Sequence, residues 1–274
     1  MALESVSTQI GAVTYQIDSD ALYARHIEGV FEPSLIELFD HFDLGDGAVL
    51  DVGANIGCTA LYFQQRSDNV IAFEASASTA AIARANLERA GTGDRIDLRA
   101  YGLGREASVQ RLMYSENNRS GGFVNSDFAS VPGHVDEAVE IRRGDAILGH
   151  SRFRAGRHVS AIKVDVEGYE LAVLDGLKRT IQRSRPICFV EMNHFTLSVV
   201  QRTSLPDFID ALRATFPIAY AVHERMRFDL HDPAQTFSAM HENILNRTFA
   251  ETVCGFRDSQ FARFRAEYVR PVLG

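Results

Sequence analysis

Val49-Leu50-Asp51-Val52-Gly53-Ala54-Asn55-Ile56-Gly57 carries an apolar run into a carboxylate and then into two glycines four residues apart. A short apolar run bounded by turn formers reads as a buried strand. Gly53 supplies backbone angles closed to other residues and lets a ligand come close. Gly57 lets a following helix pack near the strand. Asp51 puts negative charge beside the turn. That suits a cationic group, such as the amino group of a methionine moiety, and suits a pyrophosphate poorly.

The pattern on either side repeats this unit. Ala48 to Val52, Val70 to Phe73, Ile96 to Ala100, Ala161 to Val166 and Ile187 to Met192 read as strands. Asn55 to Gln65, Ser76 to Ala90 and about Tyr169 to Gln182 read as helices between them. Strand-helix alternation predicts an α/β fold with a doubly wound, mostly parallel sheet covered on both faces. Ligands of such sheets bind outside the carboxyl ends of the strands.

Residues 1–47 form an expected N-terminal cap on the substrate side. They hold a strand from Ile10 to Ile17 and a helix opened by Glu32-Pro33-Ser34. Residues 48–274 are the expected main domain. An insert of about sixty residues after the third strand, near 105–158, is longer than ordinary connections and reads as extra strands or a flap. It carries Ser120-Gly121-Gly122 as a hinge or turn and a strand-like Ala138 to Arg142. The elements of 196–274 include a helix from Asp207 to Thr215, a strand from Ile218 to Val222 and an amphipathic helix near Phe261 to Tyr268.

With 274 residues, 46% of them hydrophobic, the chain can bury a substantial core. Its net charge of −8 argues against a nucleic-acid partner. Cys58, Cys188 and Cys254 form no CxxC pair, so neither a disulfide framework nor a structural zinc site is expected. The start of the chain lacks the basic-then-apolar pattern of a secretory signal, and no run is long enough to span a membrane. The expected compartment is the cytoplasm. A homo-oligomer is compatible with the sequence.

Two cofactor chemistries compete at the glycine turn. A nicotinamide-binding turn needs GxGxxG, and here those positions are Gly53, Asn55 and Cys58. The spacing Asp-x-Gly-x-x-x-Gly fits S-adenosylmethionine instead. Glu74, ending Val70-Ile71-Ala72-Phe73-Glu74, is placed to accept ribose hydroxyls from either nucleoside. Further on, Ile162-Lys163-Val164-Asp165-Val166-Glu167-Gly168-Tyr169-Glu170 alternates charges with apolar residues at a strand end. Val190-Glu191-Met192-Asn193-His194 ends the next strand in the same way. His194 or Asp165 is the expected proton acceptor, with Lys163 and Glu191 shaping the field. Asp165, Glu191 and Asn193 are candidate oxygen ligands for a divalent metal such as magnesium. Tyr114, Phe123, Phe128 and Phe195 are candidates for stacking on a sugar ring or a flat acceptor.

Together these residues resemble the FkbM family of methyltransferases over about residues 48 to 195. The resemblance rests on Asp51 to Gly57, on Ala72-Phe73-Glu74, and on the run from Ile162 to Glu170 with Val173-Leu174-Asp175-Gly176, Pro186 and Glu191 following. The chain departs from the family in Phe73-Glu74-Ala75, where Phe-Glu-Pro is usual, and in Gly102-Leu103-Gly104-Arg105, where Ala-Leu-Gly-Asp is usual. The resemblance implies a class I, Rossmann-like fold and S-adenosylmethionine as donor. It implies O-methylation of a small-molecule or saccharide acceptor. Asp51, Gly53, Ala54, Asn55 and Gly57 would hold the methionine part, Glu74 and Ala75 the ribose, with adenine near Tyr101 and Asp165 beside the reacting methyl. An NAD-dependent oxidoreductase and a non-catalytic binding protein that keeps the fold are the alternatives, separable by titration with the two cofactors.

Overall fold

The computed structural model describes residues 3–124, 132–148, 158–247 and 250–270. Eight strands form the central sheet, in the order Met226–Asp229, Ile218–His223, Ala250–Gly255, Ile187–Met192, Val159–Val164, Ala48–Val52, Val70–Phe73, Ile96–Arg99. The last five of these pair in parallel. Ala250–Gly255 runs antiparallel to both of its neighbours, and Met226–Asp229 antiparallel to Ile218–His223. The sheet is thus mostly parallel, as expected, and the fold is Rossmann-like. The strands Met226–Asp229 and Ala250–Gly255 have no counterpart in the sequence reading.

Ala48–Val52 is the first strand of this sheet in the chain, and all five residues are buried. The chain leaves it toward Val70–Phe73 on one side and returns on the other with Val159–Val164. The order therefore reverses between Ala48–Val52 and Val159–Val164, which opens a crevice at their carboxyl ends. Gly53 and Asp165 stand at its two lips.

Local chemistry explains where the elements begin and break. Ser76 caps the helix Ala77–Arg89 by accepting from the Thr79 N–H. Pro33 opens Pro33–Asp40. The helix expected from Asn55 starts only at Cys58, because Gly53, Asn55 and Gly57 all take positive φ and spend the intervening residues on a turn. The helix expected from Tyr169 to Gln182 is two, Glu170–Gly176 and Lys178–Ser184. At Gly176 the Gly104 carbonyl presses so close that a Cβ would lie 2.0 Å from it. The single strand expected from Ile10 to Ile17 is a hairpin, Leu3–Ile10 with Val13–Asp20, turned at Gly11.

The insert builds a second sheet, in the order Gly102–Gly104, His134–Arg143, Ser108–Ser115, Asn118–Val124. Ser120, Gly121 and Gly122 lie within its last strand and form no hinge. Residues before Ala48 share the main core: Phe39 meets Phe189 edge-on at 4.6 Å, and Phe42 packs against Phe261 and Phe264. All three cysteines are buried and free. No described helix is long and apolar enough to cross a membrane.

Candidate active site

The crevice holds two adjoining cavities. The larger opens between the strand ends and the second sheet, with Gly53, Asn55, Glu74, Ala75, Leu103 and Asp165 on its wall. The smaller lies toward the N-terminal segment among Tyr23, Phe31, Glu32, Ala54 and Lys163. Gly53, Asn55 and Asp165 line both.

The glycine turn is shaped by its neighbours. At Gly53, φ is 85° and a Cβ would sit 1.8 Å from the Asp165 carbonyl oxygen. Only glycine lets the two strand ends approach this closely. The Gly53 and Ala54 N–H groups both donate to the Phe73 carbonyl at 3.0 Å. Asn55, also at positive φ, directs its N–H to Glu74 Oε2 at 3.0 Å, and the Ser76 N–H donates to Oε1 at 2.9 Å. Glu74 is therefore fixed in place on the wall of the larger cavity. Burial raises its pKa to about 7, against the lowering effect of those two N–H donors.

Beneath the turn lies a charge chain. Lys163 Nζ is 3.0 Å from Asp165 Oδ2, 3.1 Å from the Gly53 carbonyl and 3.8 Å from Asp51 Oδ1. Thr59 donates to Asp51 Oδ2 at 2.6 Å. Burial alone would lower the Lys163 pKa, but the Asp165 and Asp51 carboxylates outweigh it and hold the ammonium charged. Asp51 is fully buried, and burial raises its pKa against the pull of Lys163 and Thr59. Asp51 lines neither cavity; Lys163 and the turn stand between it and the open space. Gly57 also lies off both cavities, with Leu87 and Ala83 packed against it.

Carboxylates crowd the carboxyl edge of the sheet. Asp165, Glu167 and Glu191 each bring one oxygen within 4.8 Å of the others. Glu170 accepts from the Val166 and Gly168 N–H groups, and Glu251 faces Glu191 across the antiparallel pair. Burial first, and then the charge of Asp165, pushes Glu167 and Glu251 up to about 8. Burial likewise raises Glu170 to about 7, and Glu191 rises strongly for the same reason.

Other expected residues fall elsewhere. His194 lines neither cavity; its Nδ1 lies 3.0 Å from Asn243 Oδ1, which also accepts the His194 backbone N–H. Asn193 is not free to ligate through its carbonyl oxygen, because Oδ1 accepts from the Phe195 and Thr196 N–H groups. Tyr101 is buried against Phe73 beneath the Arg142 guanidinium and lines neither cavity; Gly102 and Leu103 after it line the larger one. Tyr114 is buried and Phe195 is exposed, and neither lines either of these two cavities. Phe123 is also off both cavities, and Phe128 lies outside the described residues.

Several site residues escaped the sequence reading, among them Tyr23 and Glu32 on the smaller cavity, Arg119 on the larger, and Glu137, bonded to Ser76 of that wall. Glu137, from the insert strand His134–Arg143, accepts from Ser76 Oγ at 2.7 Å and the Ala77 N–H at 2.8 Å, clasping the second sheet to a helix N-terminus. Arg119, its side chain 7% exposed, lines the larger cavity and lies 3.4 Å from Asp20. Both contacts join residues far apart in sequence, so no local spacing announces them.

The methyltransferase FkbM domain matches residues 51–230. The chain belongs to the FkbM methyltransferase family. Among curated proteins, the FkbM chain is 28% identical over 149 residues to Methyltransferase 1 of Beauveria bassiana (strain ARSEF 2860), a match covering 48% of this chain and 59% of that protein. It thus spans about three-fifths of the relative's length. Solved structures with similar coordinates include Methyltransferase FkbM from Methylobacillus flagellatus KT, with TM-score 0.47, 17% identity, and 76% of this chain and 43% of that one covered. The O-methyltransferase from Bacillus cereus in complex with SAH has TM-score 0.45 and 14% identity, with 81% and 80% covered.

Proposed function

We propose that this protein transfers a methyl group from S-adenosylmethionine to a hydroxyl oxygen of a sugar or natural product. The observation that carries the reading is the pair of cavities joined at Gly53, Asn55 and Asp165. The larger would take adenosine, with Glu74 accepting from the ribose hydroxyls and Gly102 and Leu103 beside the base. The smaller would take the amino-acid end. Its wall carries the Lys163 ammonium beside the Glu32 and Asp165 carboxylates, mixed charges that suit a zwitterion.

The donor supplies an electrophilic methyl on a sulfonium. The chain's part is to hold the acceptor oxygen in line and accept its proton. Asp165, on the wall shared by both cavities, is the group placed for that proton; Lys163 orients it at 3.0 Å. Asp51 and Thr59 fix Lys163 from behind. His194, off both cavities, is not assigned the step.

Calorimetric titration with S-adenosylmethionine, its demethylated product and NAD tests this reading. Saturable binding of the first two, absent for NAD and weakened by Glu74→Ala, is expected. Binding of NAD alone would overturn it. A gain of one methylene in the mass of a hydroxylated acceptor then tests the reaction.

A further inference from the structure

We propose that Asp165, Glu167 and Glu191 form a binding site for one hard divalent cation, of the class of Mg²⁺, Mn²⁺ or Ca²⁺. The strands place them there. Val164 and Val190 are register partners in parallel, so Asp165 and Glu191 follow as the next pair at the same edge. Glu167 then turns back through a left-handed residue, φ 53°. One oxygen from each lies within 4.8 Å of the other two. Oxygens bound to a common ion at 2.0–2.6 Å lie no farther apart than about 4–5 Å, so the set is already close to ligand spacing.

Among the described residues, the surroundings carry little positive charge to balance this set. Glu170, 1% exposed, and Glu251 add two more carboxylates. Lys163 is the ammonium that reaches the cluster, and it is already shared among Asp165, Asp51 and the Gly53 carbonyl. An independent sign of a missing partner is hydrogen bonding. Glu170 is buried with its Oε2 unpartnered, and Glu191 Oε2 is likewise buried with no partner. Buried carboxyl oxygens without a hydrogen-bond partner are destabilising, and a cation at this point offsets that. The ligand set differs from the sequence expectation, because Asn193 is engaged with backbone N–H groups and Glu167 takes its place.

The test needs neither donor nor acceptor; an ion bound to Asp165 would displace it as proton acceptor, so this site and the base role are tested separately. Chelator-treated full-length protein is titrated with Mn²⁺ and followed by electron paramagnetic resonance, and its Tm is recorded with and without the ion. One saturable Mn²⁺ per chain, displaced by Mg²⁺ or Ca²⁺ and accompanied by a higher Tm, is the expected result. Glu191→Gln and Glu167→Gln should each weaken Mn²⁺ binding roughly tenfold or more, while circular dichroism confirms that both fold. No saturable Mn²⁺ at millimolar concentration overturns the proposal. So does Mn²⁺ affinity unchanged in both variants. So does a Tm gain in the glutamine variants with no ion bound by the parent, which would make the cluster a protonated network instead.

Discussion

Lys163 and Asp51 are register partners on adjacent parallel strands, and their side chains meet at 3.8 Å with both almost wholly buried. Their neighbours complete a chain from Thr59 through Asp51 and Lys163 to Asp165. A buried ion pair adds little net stability, but removing one partner strands the other. Lys163→Met is therefore expected to cost about 3–5 kcal/mol in urea denaturation. Lys163→Met combined with Asp51→Asn should recover part of that loss. Simple addition of the two single costs would show that the residues do not act as a pair.

Gly53 and Gly57 both take positive φ, yet their surroundings differ. A Cβ at Gly53 meets a backbone carbonyl at 1.8 Å, while one at Gly57 meets Leu87 at 3.3 Å. Gly53→Ala should thus destabilise the chain more than Gly57→Ala, by roughly 1 kcal/mol or more beyond the shared backbone strain. It should also abolish donor binding. Equal Tm losses in the two variants would contradict the close approach of Asp165.

Glu74 gives the site a pH signature. Its folded pKa is about 7, against an ordinary 4.5. Between these values the folded chain holds a proton that the unfolded chain has lost, so stability falls as pH rises through that window. Its contribution is fully present below the unfolded pKa and gone above the folded one. Glu74→Gln should flatten this part of the stability-pH curve in denaturant titrations. Donor affinity should move oppositely, rising as pH passes about 7 and the carboxylate forms; calorimetry at pH 6 and 8 reads this directly.

Asp165 and His194 stand at adjacent strand ends, but only Asp165 reaches the cavities. Asp165→Ala should lower kcat by about 10²–10⁴, and His194→Ala should leave it within a few-fold. A large kcat loss for His194→Ala at unchanged KM would return the proton to the imidazole.

Glu137 holds the second sheet against the helix Ala77–Arg89 through Ser76, Ala77 and Ser78. Glu137→Ala removes a charge-assisted cap at a helix N-terminus, worth about 1 kcal/mol. Faster amide exchange in Ser108–Ser115 and weaker donor binding are expected. Unchanged exchange there would show that apolar packing alone holds the sheet.

Much of the architecture was legible because it is local. The apolar runs at Ala48 to Val52 and Ile187 to Met192 mark strands by composition, and Ser76 and Pro33 announce helix starts. Glu74 and the glycine turn could be placed on one edge because right-handed crossovers bring successive strand ends together. The first hairpin strand at the N-terminus, Leu3–Ile10, the strand Ala250–Gly255 and the break at Leu177 were not legible. The last two depend on partners distant in sequence, Glu251 against Glu191 and Gly176 against the Gly104 carbonyl, and the hairpin turn at Gly11 carries no strong turn pair such as Asn-Gly.

Sequence by itself determined that a carboxylate, a glycine turn and a second carboxylate lie at the carboxyl ends of neighbouring parallel strands, since period and composition are properties of the chain. Tertiary structure alone decided which of those groups face open space. Asp51 is turned inward by Thr59 and Lys163, Asn193 is engaged by backbone N–H groups, and His194 is held by Asn243. The reason is that exposure and hydrogen bonding are settled by neighbours from other segments, and a buried polar group points to whichever partner satisfies it.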